Sequence, residues 1–171
     1  TGVQTCALPI YGGELVFQLG TGYFGCRTPD GRFDLDRLAD LCAQYPVRAV
    51  EIKLSQGAKP GLGGVLPAAK VTPEIAACRG IEPGQDCRSP SAHSAFSDVD
   101  GMLDVVEAIA QRTGLPVGIK SAVGEIGFWR DLARLIDTTD RSVDFVTIDG
   151  GEGGTGAAPL VFRDHVRSEE H

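Results

Sequence analysis

Lys53, Gln56 and Lys59 fall within seven residues of one another. Two cations and an amide at that spacing suit a carboxylate or a phosphate, because ammonium and amide N–H groups donate to oxygen anions. An ordinary solvated loop would carry the same residues, so spacing alone leaves both readings open. Lys120 closes the run Val-Gly-Ile-Lys at 117–120, which reads as a buried strand. A lysine there is costly without an anion beside it. Either it pairs with a carboxylate, Glu125 or Asp149, or it faces a substrate anion or an electron-rich cofactor. The run Asp-Gly-Gly-Glu-Gly-Gly-Thr-Gly at 149–156 holds five glycines in eight residues. Its backbone N–H groups could cradle an anion, or its bare main chain could admit a bulky ring. A flexible loop has the same composition. It is no P-loop, since no Gly-Lys-Ser/Thr follows, and a dinucleotide fingerprint would have to open a helix. His93 can serve as acid or base, or as a hydrogen-bonding bystander. His165 lies beside the terminal segment discussed below and is given no role. The cysteines show no CxxC and no metal-ligand spacing, so no metal site is expected and the thiols read as reduced. No Ser/His/Asp or Cys/His set specifies a hydrolase.

The whole chain has 171 residues, with 16 Lys+Arg against 23 Asp+Glu and a net charge of −7. That acidic balance argues against a general nucleic-acid binder, which needs a basic face to neutralise phosphates. Apolar residues make up 42%, enough for a globular core. No apolar run approaches the length of about 18 residues that a membrane helix needs. A cytoplasmic location is expected, though an anchor preceding residue 11 would be compatible with the fragment reading below. Glycine, at 23 residues, is about twice as common as usual.

The elements that must position these side chains alternate between strand and helix patterns, which points to α/β units and a parallel sheet. Strands are expected at Leu15–Leu19, 47–54, Val117–Ser121 and 143–148. Helices are expected from 33 onward, at 98–112 capped by Asp98 and closed by Gly114, and at 128–136. The connection 54–98 is unusually long, and such connections usually cover or build a site. A short helix near 72–78 fits inside it, with Thr72 as cap and Pro73 at its first position. Polar, glycine-rich sequence follows all four strands: 18–26, 53–64, 119–127 and 149–159. In a (β/α) barrel those ends share one face, which holds the active site, whereas an open sheet would make a crevice of them. The pattern leans toward the barrel.

Both ends of the chain carry a further signal. Written as AGA TCG GAA GAG CAC, the last five residues, RSEEH, have the reverse complement GTGCTCTTCCGATCT. The same fifteen bases encode CALPI near the other end when it is written TGT GCT CTT CCG ATC T. The string resembles a common sequencing-library adapter. Residues 1–10 and 167–171 are therefore expected to be translated adapter, leaving 11–166 as natural sequence with a net charge of −6.

The run 51–71, EIKLSQGAKPGLGGVLPAAKV, resembles the FMN-binding synthase domain of glutamate synthases. The family pattern is roughly IK-x-x-QGAKPG-x-GG-x-LP-x-x-KV. Matches fall at Ile52, Lys53, 56–61, Gly63, Gly64, Leu66, Pro67, Lys70 and Val71. Three more matches follow the family order. Residues 18–26 are similar to Q-x-x-[ST]G-x-FG, 118–120 to the strand ending in lysine, and 149–159 to G-x-[DE]GGTGA-x-P. The closest resemblance is to stand-alone FMN-binding glutamate synthase family proteins, which lack the glutaminase domain.

The resemblance implies an α/β fold that is an incomplete (β/α)8 TIM barrel, with about half of the barrel present and FMN at the C-terminal face. It implies reductive amination of 2-oxoglutarate to glutamate through 2-iminoglutarate. The ammonia would be free or derived from glutamine, and the sequence names no electron donor. By position, Lys120 looks like the catalytic strand-end lysine beside the N1/O2 edge of the flavin, where a cation stabilises the reduced anionic ring. Gln18, Lys53, Gln56 and Lys120 look like cofactor contacts. Lys53, Gln56, Lys59, Asp149, Gly153, Gly154 and Thr155 look like the lining of the 2-oxo-acid pocket. The family's flavin phosphate site and the cysteines of an iron–sulfur cluster would lie beyond residue 166.

One departure stands out. The family pattern has paired histidines and then aspartate after Ser-Pro, but here the run is Ser-Pro-Ser-Ala-His-Ser-Ala at 89–95. A sibling FMN oxidoreductase acting on another substrate is one alternative, and a non-catalytic anion-binding half-barrel is another. A complete barrel takes about 250 residues. The fragment alone is thus expected to expose apolar sheet edges, to fold poorly and to be inactive.

Overall fold

The structure, a computed structural model, describes residues 13–58 and 61–150. Four parallel strands form its sheet: β1 (Leu15–Leu19), β2 (Val47–Lys53), β5 (Val117–Ser121) and β6 (Val146–Ile148), in the order β1-β2-β5-β6. Between them run four helices: α1 (Leu35–Gln44), α2 (Pro73–Arg79), α3 (Val99–Thr113) and α4 (Ile126–Thr138). The four strands and four helices read from the sequence are all present.

Local chemistry sets the helix boundaries. Asp34 caps α1 by accepting from the Arg37 N–H, and Asp98 caps α3 by accepting from the Gly101 N–H. Thr72 caps α2 through the Ile75 N–H, with Pro73 at the first position as expected. Gly114 ends α3 in the left-handed region, φ 70°, where glycine carries no Cβ penalty. The start of α4 has no side-chain cap.

Alternation along each strand sends one set of side chains to the helices and the other to the opposite face. Leu19, Val50, Ile52, Val117 and Ile119 pack with Leu38 of α1, Met102, Leu103, Val106 and Ile109 of α3, and Leu132 and Leu135 of α4. Each large apolar side chain buried there stabilises the fold by about 1.5–3 kcal/mol. By the same alternation and the pairing register, Val16, Gln18, Ala49, Glu51, Lys53, Gly118, Lys120, Phe145 and Thr147 belong to the other face. The helices α1, α3 and α4 thus share one face of the sheet, and the chemistry-bearing residues take the other. Among the described residues, its outer strands carry exposed apolar side chains: Val16 is 58% exposed, and Val146 and Ile148 are each 42% exposed.

Two details depart from the sequence expectation. The long connection holds an antiparallel pair, β3 (Gly64–Leu66) with β4 (Cys87–Ser89), besides the expected helix. Three-residue strands are too short to show a period of two. The pair instead shares a satellite core, where Val71, Ala76 and Cys87 pack with Phe24, Leu66, Ile75 and Ile81. Strand β6 is also shorter than the expected 143–148. Asp144 is drawn out of the strand pattern because its carboxylate accepts from the Val117 N–H at 2.7 Å.

Candidate functional site

Lys53 and Lys120 are register partners on adjacent strands, β2 and β5. Each stands at or next to the last residue of its strand, on the face opposite the helices. The strand ends are stitched together just beyond them. The Leu54 N–H donates to the Lys120 carbonyl at 2.8 Å, and the Ala122 N–H donates to Ser55 Oγ at 2.9 Å. Ser121 Oγ donates to the Ala122 carbonyl, so the 3.0 Å bond between the two serines is donated by Ser55. Parallel strands joined this way hold the two lysines at fixed spacing.

Each lysine has a defined polar neighbour. Lys53 Nζ donates to Gln56 Oε1 at 2.5 Å. Lys120 Nζ lies 3.0 Å from Asp149 Oδ2, both side chains being about one-fifth exposed. Of the two carboxylates considered for Lys120, the structure selects Asp149 rather than Glu125. Asp149 is held in place by its own N–H, which donates to the Ser121 carbonyl.

Gln18 belongs to a second set. Its Nε2 donates to Glu51 Oε1 at 2.6 Å, and Thr147 Oγ1 donates to Glu51 Oε2, also at 2.6 Å. Glu51 is only 9% exposed. Its carboxylate therefore ties β1, β2 and β6 together across the face that carries the lysines. Reaching β6 means crossing β5 at Gly118, the register partner of Glu51. Gly118 is required there: a methyl group at that position would overlap the Phe145 ring.

Over the end of β2, His93 is buried. Its Nδ1 lies 3.1 Å from Tyr23 Oη and its Nε2 lies 2.9 Å from the Lys53 carbonyl. Burial pulls its pKa below the usual 6.5, opposed in part by the bond to the Lys53 carbonyl. Burial pushes the Cys26 thiol up to about 12, helped by Cys42 and Asp34. A cleft of about 800 Å³ opens on the helix side, lined by Leu54, Ser91, His93, Phe96, Phe128 and Leu135 among others. The lysines are not part of its wall. Among the described residues, no group of three His, Cys, Asp or Glu is placed to hold a metal, and no helix is long and apolar enough to cross a membrane.

A family model described as "Conserved region in glutamate synthase" matches residues 2–168. The chain belongs to the glutamate synthase family. Among its relatives is the glutamate synthase large subunit-like protein YerD of Bacillus subtilis, 37% identical over 155 residues. That match covers 91% of this chain and 29% of the relative. The archaeal glutamate synthase [NADPH] of Methanocaldococcus jannaschii is 36% identical over 162 residues, covering 94% of this chain and 28% of the relative. The ferredoxin-dependent glutamate synthase of Cyanidium caldarium is 37% identical over 126 residues, covering 72% of this chain and 8% of the relative. The chain thus spans less than a third of the length of these relatives.

Within this family member, the structure brings Lys53, Gln56, Lys120 and Asp149 to neighbouring strand ends. Gln18 is on the same face of the sheet, but its amide is engaged by Glu51. Lys59, Gly153, Gly154 and Thr155 lie outside the described residues. Sequence reasoning passed over Glu51 and Tyr23. The signal for Glu51 was available: it sits two residues before Lys53 in a strand, and a period of two puts both on one face. Nothing local marks Tyr23, whose partners are about 70 residues away.

Proposed function

We propose that this chain is part of an FMN-dependent oxidoreductase of the glutamate synthase type, converting 2-oxoglutarate and ammonia to glutamate through 2-iminoglutarate. The observation that carries the reading is the pair Lys53 and Lys120, register partners at adjacent strand ends. Helices on a single face suit the wall of a (β/α)8 barrel, whose C-terminal strand ends hold the active site. A doubly wound sheet would carry helices on both faces.

The residues present fit a flavin. Two lysines stand at adjacent strand ends, one bonded to the Gln56 amide and the other paired with Asp149, and an electron-rich ring or a carboxylate would need donors there. FMN, when bound, would supply the two-electron reduction of the imine. Lys120 would lie along the pyrimidine edge of the ring, offsetting negative charge there, with Asp149 holding its Nζ in place. Lys53 and Gln56 would hold the 2-oxo acid by its carboxylate. The family resemblance would add Lys59, Asp149, Gly153, Gly154 and Thr155 to that pocket. Ammonia, free or derived from glutamine, would be the second substrate.

The test uses the full-length protein that contains this segment. It should copurify with FMN, and its reduced form should be reoxidised by 2-oxoglutarate only when ammonia is present. Lys120→Ala should lower flavin content or slow flavin reduction. Unchanged flavin content and turnover would remove Lys120 from the site. One observation favours a second reading, a sibling flavoenzyme with another 2-oxo acid. The run after Ser89 and Pro90 carries the single His93, and the N–H groups of the next two residues, Ser94 and Ala95, are given to Tyr23. Flavin binding without a response to 2-oxoglutarate would select that reading.

A further inference from the structure

We propose that His93 is a positioning residue, whose neutral imidazole clamps the Lys53 carbonyl and so aims Lys53 and Gln56 at the substrate, rather than an acid or base. The inference rests on the reading of Lys53 and Gln56 as substrate contacts.

The tautomer follows from counting donors. The Lys53 carbonyl can only accept, so His93 Nε2 carries the hydrogen of the 2.9 Å bond. In a neutral ring, Nδ1 is then a bare acceptor. Tyr23 Oη accepts from the Ser94 N–H at 3.0 Å and from the Ala95 N–H at 3.1 Å. Both of its lone pairs are used, and its own hydrogen goes to His93 Nδ1 at 3.1 Å. Every polar atom of the pair is satisfied in one arrangement. A second proton on Nδ1 would meet the Tyr23 hydroxyl hydrogen head on, and the hydroxyl has no spare acceptor site for it.

The surroundings lock this arrangement. The Tyr23 side chain is almost wholly buried, and its backbone is left-handed at φ 50°. A bulky residue holds that conformation only where its surroundings over-determine it, and such strain concentrates at functional sites. The His93 ring stacks on Phe96 at 5.0 Å, with an interplanar angle of 21°. It also packs against Tyr23 at 5.3 Å. Two loops and a strand end meet in this clamp: the loop after β1, the end of β2, and the loop before α3. The atom it grips is the main-chain carbonyl of Lys53, whose side chain reaches Gln56.

An acid or base must exchange its proton with a reacting group, and neither nitrogen of His93 is available for that. Losing the clamp should therefore loosen substrate binding more than chemistry. In the full-length protein, His93→Phe keeps a ring but drops both bonds. It should raise KM for 2-oxoglutarate on the order of tenfold, with kcat within a few-fold. His93→Gln can place an amide N–H where Nε2 stood, so it should recover most of that loss. Should His93→Phe prove insoluble, Tyr23→Phe, which frees Nδ1, should raise KM in the same direction by a smaller factor.

Loss of kcat by about 10²-fold or more in both His93 variants would mark an acid or base and overturn the proposal. So would an unchanged KM in all soluble variants. Nitrogen NMR of the histidine-labelled protein separates this proposal from the functional one. The Nε2–H tautomer, with Nδ1 bare, should be seen even if the protein binds neither FMN nor 2-oxoglutarate. An Nδ1–H tautomer or a charged ring at neutral pH would overturn the clamp whatever the substrate.

Discussion

Replacing Glu51 tests whether one carboxylate holds three strands. It accepts from Gln18 Nε2 and Thr147 Oγ1, each at 2.6 Å. Hydrogen bonds to a charged group contribute about 1.5–3 kcal/mol each. Gln18 is solvent-exposed, so in Glu51→Ala its amide turns to water and costs little. Thr147 is half-buried and loses its partner on the sheet face. The expected cost of Glu51→Ala is therefore about 2–4 kcal/mol, near the sum of one full bond and part of another. In Glu51→Gln the new amide offers one acceptor oxygen and one donor, and the Thr147 hydroxyl can rotate to accept. Both bonds survive as neutral ones, roughly half as strong, and the cost falls to about 1–2 kcal/mol. The assay is amide hydrogen exchange read by mass spectrometry on the full-length protein, following peptides over β1 and β6. Glu51→Ala should speed exchange there on the order of 30-fold or more, since each 1.4 kcal/mol is about a factor of ten. Exchange in β1 and β6 within about twofold of the parent would refute the reasoning.

Gly118→Ala should destabilise by about 1–3 kcal/mol, because the added methyl meets the Phe145 ring. Adding Phe145→Ala should recover part of that loss in a double-mutant cycle, and strict additivity would count against the contact. Because burial lowers the His93 pKa below 6.5, the unfolded chain takes up that proton first as pH falls. The stability contributed by neutral His93 is present above about pH 6.5 and is lost as pH falls through the folded value. Denaturation midpoints between roughly pH 5 and 8 should show this acid limb in the parent and a weaker one in His93→Gln. With its pKa raised from 9.0 to about 12, Cys26 should stay a thiol and resist iodoacetamide at a pH where exposed Cys78 reacts. The unfolded chain loses that proton first, so the Cys26 contribution to stability is lost as pH rises from about 9 toward 12, and Cys26→Ala should flatten the decline.

What the sequence determined by itself was local. The caps Asp98 and Thr72, the stop at Gly114 and the four apolar strand runs could be read directly, because each acts within a few residues of itself. The lysines at strand ends were legible for the same reason: a charged residue closing an apolar run marks a place where burial gives way to a site. The carboxylate partner of Lys120 narrowed to Glu125 or Asp149, and only the position of β6 beside β5 selected Asp149. The pair β3 and β4 escaped notice because three residues carry no period. A period of two already put Glu51 on the face of Lys53, but its bonding partners, like those of Tyr23, were set only by the fold. The partners of Glu51 lie 33 and 96 residues away, and those of Tyr23 about 70. Hydrogen-bond geometry across strands depends on register and on which loops meet over a strand end. Those are properties of the packed sheet, and no spacing along the chain encodes them.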